Sequence, residues 1–153
     1  MGKLFTIFIG TLMCAAVAVD NFTVRLSYID ALNLGFPESF PQAVLLNAKG
    51  DVVYARGTSV ISYEIPDRIK IIDQLPPVAH SETLKIALRK LAEKRKLPIL
   101  TKALNGDGKG LLVSLVLDKS IVDCPPCHRY ISTIDDVKLE IPHVVIRLVP
   151  PVE

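Results

Sequence analysis

An alternation of helix and strand patterns is the feature that most constrains the fold of this 153-residue chain. In Ser81–Lys96 apolar residues recur at the three- and four-residue spacing of an amphipathic helix, which Pro98 is expected to end. The apolar run Leu111–Leu117 predicts a buried strand, and His143–Val149 predicts a last strand. Between them, a second helix is predicted to open at the first cysteine of Cys124–Cys127 and to continue for about two further turns.

A β-hairpin is predicted upstream of these elements. The apolar runs Ala43–Leu46 and Asp51–Ala55 flank the glycine-containing turn Asn47–Gly50. The order hairpin, helix, strand, helix, strand is typical of a layered α/β domain in which the strand-helix-strand portions are parallel. Two weaker patterns predict a short helix within Val24–Leu34 and a further strand over Ser59–Ile65.

The amino end has the pattern of a signal peptide. Lys3 is followed by the uncharged run Leu4–Val19, and the small-residue triplet Ala16-Val17-Ala18 precedes an aspartate. We therefore predict a signal peptide over residues 1–18, a single domain over residues 19–153 and a secreted protein. The run is short for a membrane span, so no stable span is expected. Alternatively, the segment is a buried first strand or helix of an intracellular protein.

Composition excludes several classes of protein. Half of the residues are apolar, which excludes a disordered chain, and three cysteines are too few for a disulfide scaffold. The net charge of +2 is too small to imply nucleic-acid binding by itself. Cleavage of the predicted leader would remove Cys14 and leave only Cys124 and Cys127.

Two short motifs stand at the starts of the two predicted helices: His80-Ser81-Glu82 and Cys124-Pro125-Pro126-Cys127. One imidazole and two thiolates meet the ligand count of a catalytic zinc site, which leaves a fourth position for water. The two cysteines lie in one helical turn, and His80 shares the apolar stripe of its helix and is expected to face inward. The carboxylate of Glu82 is the expected proton shuttle for zinc-bound water.

These motifs, in this order, resemble the zinc-dependent cytidine/adenosine deaminase superfamily, which has H-x-E at one helix start and P-C-x-x-C at the next. His80–Ala87 and Cys124–His128 are similar to the DYW-type deaminases of plant organellar RNA editing and to toxin-type deaminases. The resemblance spans about residues 40–149. It implies a deaminase-like three-layer α/β/α fold with a mixed sheet opened by the β-hairpin.

The resemblance also implies a site and a reaction. Zn²⁺ would be held by His80, Cys124 and Cys127, with Glu82 as general acid/base. The substrate would be a nucleobase, with cytosine favoured over adenine, in a nucleoside or a single-stranded nucleic acid, and the enzyme would be a secreted effector or toxin. One strand follows the second motif where the family usually has two, so an edge strand is either absent or supplied by the amino-terminal segment. Asp123 replaces the usual proline.

The alternative hypothesis is a secreted thioredoxin-like thiol-disulfide oxidoreductase that uses Cys124-Pro125-Pro126-Cys127 as its redox motif. Against it, the chain after the motif is too short for the cis-proline strand, the following hairpin and the last helix. Ile141-Pro142 could imitate the cis-proline, but only one strand is predicted after it. A structural disulfide in a secreted binding protein is a third interpretation. His128 and His143 are interpreted as ordinary surface or strand residues.

Overall fold

A computed structural model describes residues 21–57 and 63–152, and these residues form a mixed α/β fold of five strands and five helices. This result confirms the predicted α/β class. The strands are β1 (Asn21–Ser27), β2 (Gln42–Leu46), β3 (Val52–Arg56), β4 (Leu111–Leu117) and β5 (His143–Val149). The helices are α1 (Tyr28–Leu34), α2 (Glu64–Lys70), α3 (Glu82–Arg95), α4 (Pro98–Leu104) and α5 (Pro125–Asp135), and a 3-10 turn covers Ile72–Gln74.

The five strands form one mixed sheet in the order β1-β5-β4-β2-β3. Strands β1, β5 and β4 are parallel, whereas β2 runs antiparallel to both β4 and β3. The parallel pairing of β4 and β5 through α5 confirms the predicted strand-helix-strand unit. The amino-terminal segment supplies the edge strand beside β5, which was one of the two possibilities left open by the sequence. The hairpin therefore does not open the sheet, because β1 and α1 precede it.

Helices cover both faces of the sheet. On one face, here called the α3 face, α1, α3 and α4 pack on strand residues such as Val44, Val113 and Ile146. On the other, the α5 face, α2, the 3-10 turn and α5 pack on the alternate residues, among them Leu45 and Leu112. Adjacent strand residues point to opposite faces, so the almost wholly apolar sequence of β4 results from burial on both sides.

The β2–β3 hairpin is closed by the side chain of Asn47. Its Oδ1 accepts hydrogen bonds from the backbone N–H groups of Lys49 at 3.0 Å and Asp51 at 2.9 Å. The turn needs a glycine at position 50, where φ is 83° and a Cβ atom would lie 2.5 Å from the carbonyl oxygen of Leu104. The hairpin prediction is confirmed.

A proline stands at the start of the hairpin. Pro41 immediately precedes β2, and the Phe40–Pro41 peptide bond is cis. Among the residues that the structure describes, no other peptide bond is cis, so Ile141–Pro142 is not the cis-proline that the sequence suggested.

The other element predictions have mixed outcomes. The predicted helix at Ser81–Lys96 and both later strands are confirmed, and α5 opens directly after the first cysteine of its motif, as expected. The predicted helix over Val24–Leu34 is wrong in its first half, which belongs to β1. Helix α3 ends at Arg95, with Lys96 in the left-handed conformation as its C-cap, and Pro98 begins the unpredicted helix α4. The predicted strand Ser59–Ile65 falls largely on residues outside the described ranges, and its last two residues begin α2.

The predicted signal peptide, residues 1–18, lies outside the described residues. Within residues 21–57 and 63–152, no helix combines the length and the apolar character needed to cross a bilayer.

Candidate functional site

The Cys124-Pro125-Pro126-Cys127 motif forms the first turn of α5. Cys124 is the N-cap residue, and its Sγ accepts a hydrogen bond from the backbone N–H of Cys127 at 3.3 Å. Pro125 and Pro126 have no N–H group, so that of Cys127 is the first backbone donor that the helix offers. The first turn contains no acidic residue. The positive end of the helix dipole therefore acts on the Cys124 sulfur without an opposing carboxylate in that turn.

The two cysteines are joined by a disulfide bond. Their Cα atoms are 5.2 Å apart, which is within the usual range for a bridged pair. Cys124 is 7% exposed and Cys127 only 2% exposed. Cys124 is thus the sulfur nearer to solvent, whereas Cys127 packs into the core of the α5 face.

A groove of about 280 Å³ runs beside the disulfide. Cys127 and His128 line it from the start of α5, and Arg147 lines it from β5. Asp135 and Asp136 line it from the carboxyl end of α5. The groove therefore combines one of the two sulfur-bearing residues with charges of both signs.

His128 and Asp123 form a contact that spans the motif. The Nε2 atom of His128 lies 3.2 Å from Oδ1 of Asp123, and both side chains are accessible to solvent. The backbone N–H of His128 donates to the carbonyl oxygen of Cys124 at 3.1 Å. Asp123, the residue that departs from the deaminase pattern, thus interacts with the residue after the second cysteine.

A buried polar cluster lies under α5. The hydroxyl of Ser114 on β4 is 2.6 Å from the hydroxyl of Tyr130 and 2.7 Å from Nε2 of His143. All three residues are almost completely buried. Burial lowers the pKa of His143 to about 4, which keeps its ring neutral, and raises the pKa of the Tyr130 phenol. His143 is therefore a core residue in a hydrogen-bonded cluster, a role that its position at the start of a strand did not indicate.

His80 and Glu82 lie away from the cysteine motif and its groove. Both side chains are exposed, and α3 begins only at Glu82. His80 precedes the helix and has a φ of 60°, in the left-handed region, so it does not continue the apolar stripe. The expectation that His80 faces inward is wrong. It lines a small surface cavity beside Gly35 and Pro37.

The structure does not bring the predicted zinc ligands together. His80 is adjacent to the helix that packs on the α3 face, whereas Cys124 and Cys127 belong to the α5 face. The two thiolates are also consumed in the disulfide. Within the described residues, no group of three His, Cys, Asp or Glu side chains is arranged to hold a metal ion. As placed, these residues do not form a zinc site.

Comparisons of the chain with protein-family models, with curated proteins and with solved structures found no match.

Proposed function

We propose that the protein is a thiol-disulfide oxidoreductase that uses Cys124 and Cys127. The observation that carries the proposal is the Cys124–Cys127 disulfide in the first turn of α5, beside an open groove. A helix start stabilises a thiolate, because its free N–H groups and its dipole both favour negative charge. A bridge across three residues closes so short a loop that it restrains little of the chain, which makes a purely structural role a weaker explanation.

The arrangement around the motif also supports this proposal. The chain after Cys127 is too short for the proline-led strand, hairpin and last helix of a thioredoxin-like protein, but equivalent elements precede the motif here. Pro41 leads into β2, which pairs antiparallel with β4, the strand that leads to the cysteines. Strand β3 completes the hairpin, and α2 follows it and packs on the same face as α5. The proposed fold is therefore thioredoxin-like with its elements in a different chain order.

In the proposed reaction, the reduced protein reduces a disulfide of its substrate. The Cys124 thiolate attacks one substrate sulfur, the substrate S–S bond breaks, and the other substrate sulfur leaves as a thiolate that takes up a proton. Cys127 then loses its proton and attacks Cys124 in the mixed disulfide. The second substrate thiol is released, and the Cys124–Cys127 bond of this structure forms. Two electrons pass to the substrate; in the reverse direction, the disulfide oxidises a substrate dithiol.

Cys124 is assigned the first attack for two reasons. It is the more exposed of the two cysteines, and its sulfur is the one that accepts the N–H of Cys127. An exported location, predicted from residues 1–18, would allow the oxidised form to persist.

The test is trapping of the mixed disulfide. The Cys127→Ser variant, treated with an aromatic disulfide such as 2,2′-dithiodipyridine, should retain one thiopyridyl group on Cys124. The wild type should release two thiopyridones and return to its internal disulfide. The Cys124→Ser variant should react far more slowly, since Cys127 is buried. Equal rates for the two single variants, or a wild-type disulfide that dithiothreitol fails to reduce in the native protein, would refute the proposal.

A deaminase is a second proposal, and it requires reduction of the disulfide and a rearrangement that brings His80 to the cysteines. One observation favours it: the hairpin, the helix after His80, β4, the cysteine motif and β5 follow one another in the expected order. It predicts one zinc per reduced chain, lost in both His80→Ala and Cys124→Ser. It also predicts deamination of a nucleobase that Glu82→Ala abolishes while zinc is retained. Metal analysis of the reduced protein separates the two proposals, since thiol-disulfide exchange predicts no dependence on His80.

A further inference from the structure

We infer that Arg25 and Arg147 form a carboxylate-binding subsite that selects substrates with an acidic polypeptide segment next to the reactive cysteine. This inference rests on the proposed thiol-disulfide exchange and adds a substrate class to it.

The two arginines are neighbours on one face of the sheet. Arg25 of β1 and Arg147 of β5 are direct partners in the parallel register. Val24, Leu26, Ile146 and Leu148 belong to the core of the α3 face, so the alternation of side chains directs both guanidinium groups to the α5 face. Neighbouring strands lie about 4.8 Å apart, so the two arginines are held side by side and their positive charges repel each other.

Within the described residues, neither guanidinium has a hydrogen bond or an ion pair. The backbone carbonyl of Arg25 accepts a hydrogen bond from Arg95, but its side chain is not involved. Asp118, which follows β4, is an acidic residue within the electrostatic influence of both arginines. Its Oδ1 is already occupied by the Ser120 backbone N–H at 3.0 Å and the Ser120 hydroxyl at 2.7 Å.

The charges of Arg25 and Arg147 both affect the pKa of Asp118. The hydrogen bonds from Ser120 are the main cause of the lowered pKa of Asp118, and the positive charges of Arg25 and Arg147 lower it further. The two arginines therefore both act on Asp118 at the carboxyl ends of the parallel strands, yet in the part of the chain that the structure describes neither of them forms an ion pair. An external anion would gain from both charges at once.

The subsite lies at the disulfide end of the groove. Arg147 lines the same groove as Cys127. Helix α5 runs back from the carboxyl end of β4 to the amino end of β5, so Arg147, near the carboxyl end of β5, lies towards Cys127 and His128. Asp135 and Asp136 line the other end, about 12 Å further along the helix axis. The negative charges of the groove are thus placed away from the arginine pair.

The length of the groove favours a polypeptide as its occupant. An extended chain rises about 3.3 Å per residue, and its alternate side chains point to one side. With its cysteine at Cys124, the carboxylates two and four residues away would lie about 7 Å and about 13 Å along the segment, on one side of it. Arg25 lies one strand beyond Arg147, towards the open edge of the sheet. A substrate segment crossing from the motif to this edge would meet both charges.

The test uses matched cysteine peptides activated as 2-thiopyridyl disulfides. One peptide carries Glu at the second and fourth positions on each side of the cysteine, and the other carries Gln there. The reduced wild type should react with the Glu peptide about three- to tenfold faster than with the Gln peptide at low salt. Both Arg25→Gln and Arg147→Gln should reduce this ratio, the double variant should bring it close to one, and about 0.5 M salt should do the same. Arg129→Gln is the matched control, because it removes an exposed charge of α5 that does not line the groove, and it should leave the ratio unchanged.

A second measurement is independent of sulfur chemistry. Fluorescence anisotropy of the Glu peptide with serine in place of cysteine should show binding to the oxidised wild type that the double variant loses. A ratio near one in the wild type, or an equal loss in Arg129→Gln, would overturn the subsite while leaving the exchange reaction intact. Failure of the reduced wild type to react with either peptide, with serine-peptide binding retained, would overturn the proposed function instead. A preference for small carboxylate-bearing disulfides over the Glu peptide would overturn the polypeptide assignment.

Discussion

Acid should destabilise this protein through His143. The ring is 2% exposed, its Nε2 lies 2.7 Å from the Ser114 hydroxyl, and burial lowers its pKa to about 4 from its ordinary value of 6.5. No nearby charge contributes to this shift. We expect the folded state to keep His143 neutral at pH values at which the unfolded chain binds a proton.

The sign and size follow from linkage. Above pH 6.5 both states are neutral at this residue, and its protonation does not affect stability. As the pH falls below 6.5, only the unfolded state gains the proton, so the free energy of unfolding decreases until the folded pKa of about 4 is reached. The full pKa shift corresponds to about 3 kcal/mol of unfolding free energy. About 2 kcal/mol of this stability should be lost between about pH 8 and about pH 5.

Urea unfolding followed by circular dichroism, at a series of pH values and with the disulfide intact, measures this loss. The His143→Gln variant keeps a side chain that can bond to Ser114 but does not titrate. Between about pH 8 and about pH 5, its free energy of unfolding should therefore decrease by about 2 kcal/mol less than that of the wild type. His80→Gln is the matched control, because that histidine is exposed, and its slope should follow the wild type. If His143→Gln keeps the wild-type slope, the buried neutral histidine is not the origin of the acid sensitivity.

Three further predictions concern the packing of the fold and are all measured by the same urea unfolding. Gly50→Ala should destabilise the protein by about 3 kcal/mol, because the added Cβ would lie 2.5 Å from a backbone oxygen. Gly35 also has a positive φ, but a Cβ there would have no atom within 4 Å, so Gly35→Ala should cost only about 1 kcal/mol. Equal losses in the two variants would contradict the clash at position 50. Leu88→Ala, at 0% exposed, should cost about 2–5 kcal/mol and Ile86→Ala, at 50% exposed, less than about 1 kcal/mol; the reverse order would mean that α3 packs through its other side. Tyr130→Phe should cost about 1 kcal/mol through the lost hydrogen bond to Ser114, and a stabilised variant would show that the phenol is poorly paired.

The elements that could be predicted from sequence are those in which local pattern and tertiary burial agree. The apolar stripe of α3 and the mainly apolar strand β4 are examples. Two signals were available and were missed. Phe22, Val24 and Leu26 alternate as a strand requires, and Pro98 stands at the first position of a helix, where proline is favoured.

The site was harder to predict, because it depends on which face of the sheet each helix covers. Both faces of β4 are mainly apolar, with Ser114 as the one polar residue of the strand, so its sequence offers similar burial to α3 and to α5. The amphipathic patterns of the two helices show that each helix is buried on one side. They do not show which face of the sheet that side covers. The deaminase motif needs His80 and Cys124 on the same side, and no local pattern encodes that requirement. His80 also lies before the first residue of α3, where a helical wheel no longer predicts direction.

The proposed thiol-disulfide exchange does not depend on how much chain follows the cysteine motif. What the chemistry needs is a set of spatial neighbours: a strand that ends at the cysteines, an antiparallel strand beside it and a helix on the same face. Strand β4, strand β2 after Pro41 and helix α2 occupy these places, although β2 and α2 come before the motif. Because the amino-terminal β1 completes the far edge of the sheet, no strand is required after β5. Variants in the segment around Pro41 should therefore alter the reactivity of Cys124 despite more than eighty intervening residues, and an unchanged reactivity would contradict this arrangement.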